Sequence, residues 1–266
     1  MSFRDFWKML ERGGRPVAYL SQQNDSLRQE LPSLMDDVPA GVPLGIESFG
    51  NEPDAVNLWI GDGRSVSSCH KDHYENLYTV VTGEKIFTLL PPAAAPFLTE
   101  RRCRAGHFEA SEEGGTLRAV PDEKDGGGEE ISWVSWIPGD VAAAAAAGRS
   151  AASSSSSCNS PSGGKRGDGG GRGESCGCDS SRKRDKLLSA LSVEARVGPG
   201  EMLYLPAMWY HQVAQEGTTI AVNYWHDMHF GDRFVSNHFV RDVVGLNSLS
   251  DDENDSERSD DDHDLS

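Results

Sequence analysis

Two residues with metal-binding chemistry, His70 and Asp72, stand two apart in the stretch running from Asn57 to Leu90. In an extended segment successive side chains point to opposite faces, so positions i and i+2 share one face. An imidazole and a carboxylate are then aimed at one point. A second histidine arriving from elsewhere would complete one face of an octahedron and leave the other positions open. That is the donor set of non-heme Fe(II) oxygenases. A lone His-x-Asp pair is weak evidence, because most such pairs are solvated surface residues. The reading therefore depends on a third ligand.

The segment MLYLPAMWYHQV supplies one, His211, placed at a strand start behind Trp209 and Tyr210, with Pro206 marking a bend before it. His226 and His229 are alternatives. His73 reads as a residue behind the ligands or at the pocket rim, and His107, His238 and His263 as structural or solvated. An oxygenase of this kind uses 2-oxoglutarate, whose keto-acid end chelates iron and whose distal carboxylate needs a fixed cation. Lys85, 13 residues after Asp72, is a candidate. A lysine directed into a barrel is costly unless it meets an anion. The alternative is a solvent-facing lysine, and the pattern around Ile86, Phe87 and Leu89 leaves both open. Asn76 and Asn223 are candidates for pocket hydrogen bonds.

The elements that must position these groups are short. Residues 3–12 carry Phe3, Phe6, Trp7 and Leu10 at helical spacing, ended by Gly13-Gly14. Residues 16–20 read as a strand and 27–38 as a helix before Pro39. From Ala55 the pattern turns to β: 55–60, 65–71, 77–82 and 85–90, with Thr82-Gly83-Glu84 as a hairpin connection. A strand at 131–137 follows. A second series reads 193–197 and, past a turn at Gly198-Pro199-Gly200, 202–205, 210–214 and 218–224, and residues 232–246 read as a helix. Many short strands at regular spacing predict an all-β sandwich or barrel.

Charge is uneven. The chain totals −17, and residues 251–266 hold nine acids against Arg258 alone. Such a block is self-repelling and disordered, suited to solvent or to a basic partner. The acidic balance disfavours direct nucleic-acid binding. Residues 141–186 hold a six-Ala run, a five-Ser run and a net charge of +4 from eight basic and four acidic residues. They cannot bury enough apolar surface to offset ordering, and read as a disordered insert within one domain. Arg182-Lys183-Arg184 is a candidate nuclear-localisation patch, with a solvated loop as the alternative. Five cysteines, three of them in the Gly/Ser tract, imply no disulfide framework. No run approaches the ~20 apolar residues of a membrane span, and residues 1–20 lack a signal-peptide core. These features predict a soluble, cytoplasmic protein with nuclear access if the basic patch is read.

The string HKDHYENLYTVVTGEK, with DAVNLWIG before it and GEMLYLPAMWYHQV and IAVNYW after it, closely resembles the JmjC (cupin-like) 2-oxoglutarate oxygenases. The resemblance covers roughly residues 3–140 and 190–235. It implies a mainly β fold: a double-stranded β-helix (jelly-roll, cupin) core with short flanking helices. It implies one oxygenase domain over 1–250, interrupted at 141–186, and a tail at 251–266. By position His70, Asp72 and His211 match the family's iron triad, and Lys85 matches its carboxylate anchor. Asn76 and Asn223 match pocket asparagines, while Tyr19 and Ser67 fall where the family places hydroxyl donors to the cosubstrate. The implied activity is Fe(II)- and 2-oxoglutarate-dependent protein hydroxylation. The substrate implied is a lysyl side chain of a GTP-binding protein of the developmentally regulated class. Histone demethylation, histone-tail cleavage, a non-oxygenase metal-binding cupin and an inactive scaffold are the alternatives. Relatives carry a sizeable segment before the region matched by Met1, which bears on the substrate cleft and on homodimer formation. They lack the 141–186 insert, which enters at a loop and is expected to leave the barrel intact.

Overall fold

The computed structural model describes residues 2–14, 16–23, 25–104, 106–110, 117–121, 130–136 and 178–245. Helix α1 (Phe3–Arg12) begins at Ser2, whose side chain accepts a hydrogen bond from the Asp5 amide, and ends at Gly13 with φ 65°. It buries Phe6 and Leu10, as its spacing predicts. The expected strand at 16–20 is reduced to one bridge, Leu20 exchanging backbone hydrogen bonds with Ile60 at 2.8 and 3.0 Å. The expected helix at 27–38 is also absent. In its place stand α2 (Ser26–Gln29) and a 3-10 turn (Pro32–Leu34). Pro32 has no amide to donate and crowds the preceding turn, so the α-helix cannot pass it. The sequence reading missed α3 (Pro43–Phe49), which has proline in its first turn and Gly50 as a left-handed cap at φ 78°.

The strands follow as β1 (Ala55–Gly61), β2 (Ser67–His70), β3 (Tyr74–Leu90), β4 (Glu100–Arg104), β5 (Gly106–Ala110), β6 (Leu117–Pro121) and β7 (Glu130–Val134). After them come helix α4 (Cys178–Leu191), strands β8 (Val193–Val197), β9 (Met202–Leu205) and β10 (Tyr210–Asp227), and helix α5 (Asp232–Val243). Two expected pairs of strands are in fact single long strands, β3 and β10. Thr82-Gly83-Glu84 is a corner, not a hairpin. Residues on both sides of it keep pairing with β10: Glu84–Leu90 against Tyr210–Glu216, and Tyr74–Thr82 against Ile220–Asp227. Gly83 takes φ 75° there, opposite a register break in β10 that holds Gly217 at φ 68°. The bend is sharp enough to bring Tyr78 and Phe87 ring centroids to 5.0 Å. Nine residues of straight strand would separate them by ~30 Å.

The corner divides the six-stranded sheet into two arrays that face each other. One runs β2, first half of β10, second half of β3, β8; the other runs β1, second half of β10, first half of β3, β9. This is the expected jelly-roll. Trp59, Tyr78, Phe87, Leu89, Val213 and Ala221 pack together, drawn from both arrays. A second core packs α1 and α2 on the outside of β1. A third gathers Cys69, Leu90, Tyr210 and Leu188 of α4. Strands β4 and β7, and β5 and β6, form two separate ribbons.

Helix α4 begins at Cys178, so residues 178–186, read from sequence as insert, are helical. Residues 137–177 and 246–266, which hold the rest of that insert and the acidic tail, lie outside the described residues. Among the described residues no helix is long and apolar enough to cross a membrane.

Candidate metal centre

His70 closes β2, Asp72 lies two residues beyond the end of that strand, and His211 is the second residue of β10. His211 and His70 are direct partners across the β2–β10 ladder. Strand pairing therefore sets one imidazole against the other, with ring centroids 4.2 Å apart. An Asp72 carboxylate oxygen lies 3.6 Å from His211 Nε2 and 3.9 Å from His70 Nε2. The three ligand atoms all lie within 4.8 Å of one another. His70 Nδ1 is bound to the Ser68 carbonyl at 2.7 Å and His211 Nδ1 to the Trp209 carbonyl at 3.0 Å. Each Nδ1 therefore carries the proton, and both Nε2 lone pairs face Asp72. Burial and the neighbouring His70 push the His211 imidazole down to about 4, so it stays neutral near pH 7. Two imidazole nitrogens and one carboxylate oxygen converging on a point fit a divalent first-row ion.

The turn before β10 is fixed by this site. Met208 sits at φ 70°, a left-handed conformation unfavourable for a residue with a side chain. Its amide donates to the Asp72 carbonyl at 2.9 Å, and the Ala207 amide donates to Glu75 Oε2 at 3.0 Å. Tyr204 and Arg233 also bind the Glu75 carboxylate, at 2.7 and 3.1 Å. Sequence reading gave Glu75 no role. Its place is legible only once the turn is seen to fold against it.

The triad opens on a cavity of about 430 Å³ lined by Tyr19, Ser67, Asn76, Asn223, Trp59, Tyr78, Trp225 and Trp133 among others. Asn223 donates to Asn76 Oδ1 at 3.1 Å and accepts from Trp59 Nε1 at 2.8 Å. Trp225 Nε1 is buried there with no protein partner. Lys85 faces inward with Phe87 and Leu89 and is 1% exposed. Its Nζ lies just behind the cavity wall, 3.1 Å from the Tyr19 hydroxyl and 5.1 and 5.9 Å from the Tyr19 and Tyr78 ring centroids. Among the described residues no carboxylate pairs with it. Burial alone lowers the Lys85 ammonium to about 7. Burial also raises Tyr19 to about 12, against a hydrogen bond from Ser67 that opposes the rise. Lys85, Tyr19 and Ser67 thus form one cluster, and an under-compensated ammonium beside two hydroxyls fits an anion.

The other histidines stay out of the centre. His226 is buried against Phe49 with Nδ1 on the Asn51 carbonyl at 3.1 Å. His229 is exposed. His73, expected behind the ligands or at the rim, packs its ring on Phe230 and Phe234 and does not line the cavity. His238 faces Asp242 on the outside of α5. The side chain of His107, and His263, lie outside the described residues.

The family profile described as a cupin-like domain matches residues 1–232. The chain is 36% identical over 214 residues to the human protein named bifunctional peptidase and (3S)-lysyl hydroxylase JMJD7, covering 80% of this chain and 54% of that protein. It is 34% identical over 235 residues to the Arabidopsis thaliana lysine-specific demethylase JMJ32, covering 87% and 58%. It is 32% identical over 247 residues to JmjC domain-containing protein E of Dictyostelium discoideum, covering 88% and 60%. The chain therefore spans a little over half the length of these relatives. With the folded-over sheet and the His-Asp-His cluster at its mouth, these matches show that the chain belongs to the cupin-like, JmjC-type family.

Proposed function

We propose that the chain is an Fe(II)- and 2-oxoglutarate-dependent protein hydroxylase. One juxtaposition carries the reading: a His-Asp-His face opens on a cavity whose wall hides a buried ammonium that has no carboxylate partner among the described residues. His70, Asp72 and His211 would hold the ferrous ion, and Lys85 with Tyr19 and Ser67 would take the distal carboxylate of the keto acid. Asn76 and Asn223, fixed on one another, would present amide groups along its length. Bound there, the iron and 2-oxoglutarate supply the oxidising chemistry: O₂ yields a hydroxylated substrate, succinate and CO₂. The chain's own task is to orient and to exclude water. Trp59, Tyr78, Phe87 and Trp225 form the apolar walls that do the second.

For the substrate we propose a lysyl side chain of a protein, with a GTP-binding protein of the developmentally regulated class as the first candidate. The names of two relatives both concern lysine, one as hydroxylase and one as demethylase. The net charge of −17 suits a basic partner. Both activities use the same site, so the product separates them: a gain of one oxygen by mass spectrometry for hydroxylation, or loss of a methyl group as formaldehyde for demethylation.

The test is an anaerobic titration with Fe(II) and 2-oxoglutarate, following the visible charge-transfer band of the chelate. The band is expected in the wild type and lost in His70→Ala. Lys85→Ala is expected to need at least tenfold more 2-oxoglutarate, about the worth of one charge-assisted hydrogen bond. No band in the wild type, or an unchanged titration in both variants, overturns the reading.

A further inference from the structure

Trp133 belongs to β7, whose strand partner among the described residues is β4, yet its indole reaches the metal centre. Its ring stacks on His70 with centroids 5.6 Å apart and an interplanar angle of 12°. Its Nε1 donates to Ser68 Oγ at 2.9 Å. Ser68 in turn offers its carbonyl to His70 Nδ1 at 2.7 Å. One tryptophan thus touches the ligand twice, once through the ring face and once through the residue that orients its proton. Among the described residues it is also the one member of the β4–β7 ribbon that lines the cavity.

His70 needs such a support. His211 lies deep in the sheet, whereas the His70 and Asp72 side chains are each about a quarter exposed at the end of a four-residue strand. An imidazole with one hydrogen bond and an open face can rotate about its second torsion, which is broad for sp³–sp² bonds. A flat ring laid on that face leaves one orientation and keeps water off it. Aromatic pairs of this kind contribute ~0.5–1.5 kcal/mol beyond the area they bury.

We propose that Trp133 is a positioning residue of the metal centre, holding His70 in its ligating orientation and walling the cavity mouth from the β4–β7 ribbon. The inference rests on the metal-centre reading above. It also gives the ribbon a task that its strand pairing alone does not explain.

Co(II) is the probe, titrated into the full chain and followed by its visible d–d absorption, with thermal melts of the metal-free protein in parallel. Trp133→Ala is expected to bind Co(II) about tenfold more weakly, the usual loss when a ligand's outer support is removed, and to shift the band. Trp133→Phe keeps a flat ring and is expected to restore most of the affinity. If the alanine variant does not fold, Trp133→Leu, which keeps apolar bulk without a flat face, takes its place with the same expected loss. Wild-type affinity in the alanine or leucine variant, even with a lowered melting temperature, assigns Trp133 to packing alone and overturns the proposal. Equal loss in the phenylalanine variant overturns it as well. Failure of the wild type to bind Co(II) would instead remove the metal centre itself, and the inference with it.

Discussion

Lys85 shows how far a single residue can be read. Its distance from Asp72 is visible in the sequence, but its direction is not, because apolar Ile86 and Phe87 follow it on opposite faces. The structure puts Lys85, Phe87 and Leu89 on the buried side. That burial has a pH consequence. With the ammonium lowered to about 7, the charged form is present below that pH and lost above it, whereas an ordinary lysine keeps its charge to 10.5. A carboxylate needs the charged form, so affinity for 2-oxoglutarate is expected to fall about tenfold per unit as pH rises beyond about 7. Anaerobic calorimetry from pH 6.5 to 9 checks this, and Lys85→Met should lose both the affinity and its slope. That His70, Asp72 and His211 come together was legible because ligand chemistry restricts residue type, although Asp72 lies beyond the end of β2 and strand alternation does not place it. Glu75 and Trp133 were not, since their roles come from a turn and a ribbon that fold against the ligands from elsewhere.

At the scale of elements the sequence announces turns but not what they join. Thr82-Gly83-Glu84 has the composition of a tight turn, and a hairpin and a corner look alike until the partner strand is known. Here β10 is partner to both halves of β3, so the ladder continues around the bend. A Cβ on Gly83 would lie 2.4 Å from Thr219 Oγ1 and 2.6 Å from the Thr218 carbonyl, at a φ of 75°. Gly83→Ala is therefore expected to cost about 1–3 kcal/mol in urea unfolding. Gly61 tests a different link. A Cβ there would meet Gln215 Nε2 at 2.4 Å and Tyr19 Cδ2 at 2.6 Å. Gly61→Ala is expected to displace Tyr19 from Lys85 and weaken 2-oxoglutarate binding more than it weakens Co(II) binding; equal losses would refute this link. The strand expected at 16–20 failed for a related reason: one bridge at Leu20 is enough to hold Tyr19 against the cavity.

For the whole molecule, the notable distance is along the chain. Asp72 and His211 are 139 positions apart, and the residues between them include 141–177, the larger part of an insert whose composition predicts no core of its own. We propose that this segment is dispensable for the centre. Replacing 141–177 with a short Gly/Ser bridge is expected to leave Co(II) affinity unchanged, because loop-closure cost grows only with the logarithm of length. A metal held only by the folded state should stabilise it by about 2.7 kcal/mol at a hundredfold excess over its dissociation constant. Melts with and without Co(II) should show that gain in the wild type and none in His211→Ala.

The paired β3 and β10 have one more consequence. His211 lies opposite Leu89 and Lys85 opposite Gln215, so the same ladder carries the candidate metal ligand and the proposed carboxylate anchor four positions apart, ~13–14 Å of strand. The interval between them is fixed by backbone hydrogen bonds, which cannot stretch to suit a guest. If the two groups hold a keto acid as proposed, the two strands gauge its length, and keto acids one carbon shorter or longer than 2-oxoglutarate are expected to reach the metal or the ammonium, but not both.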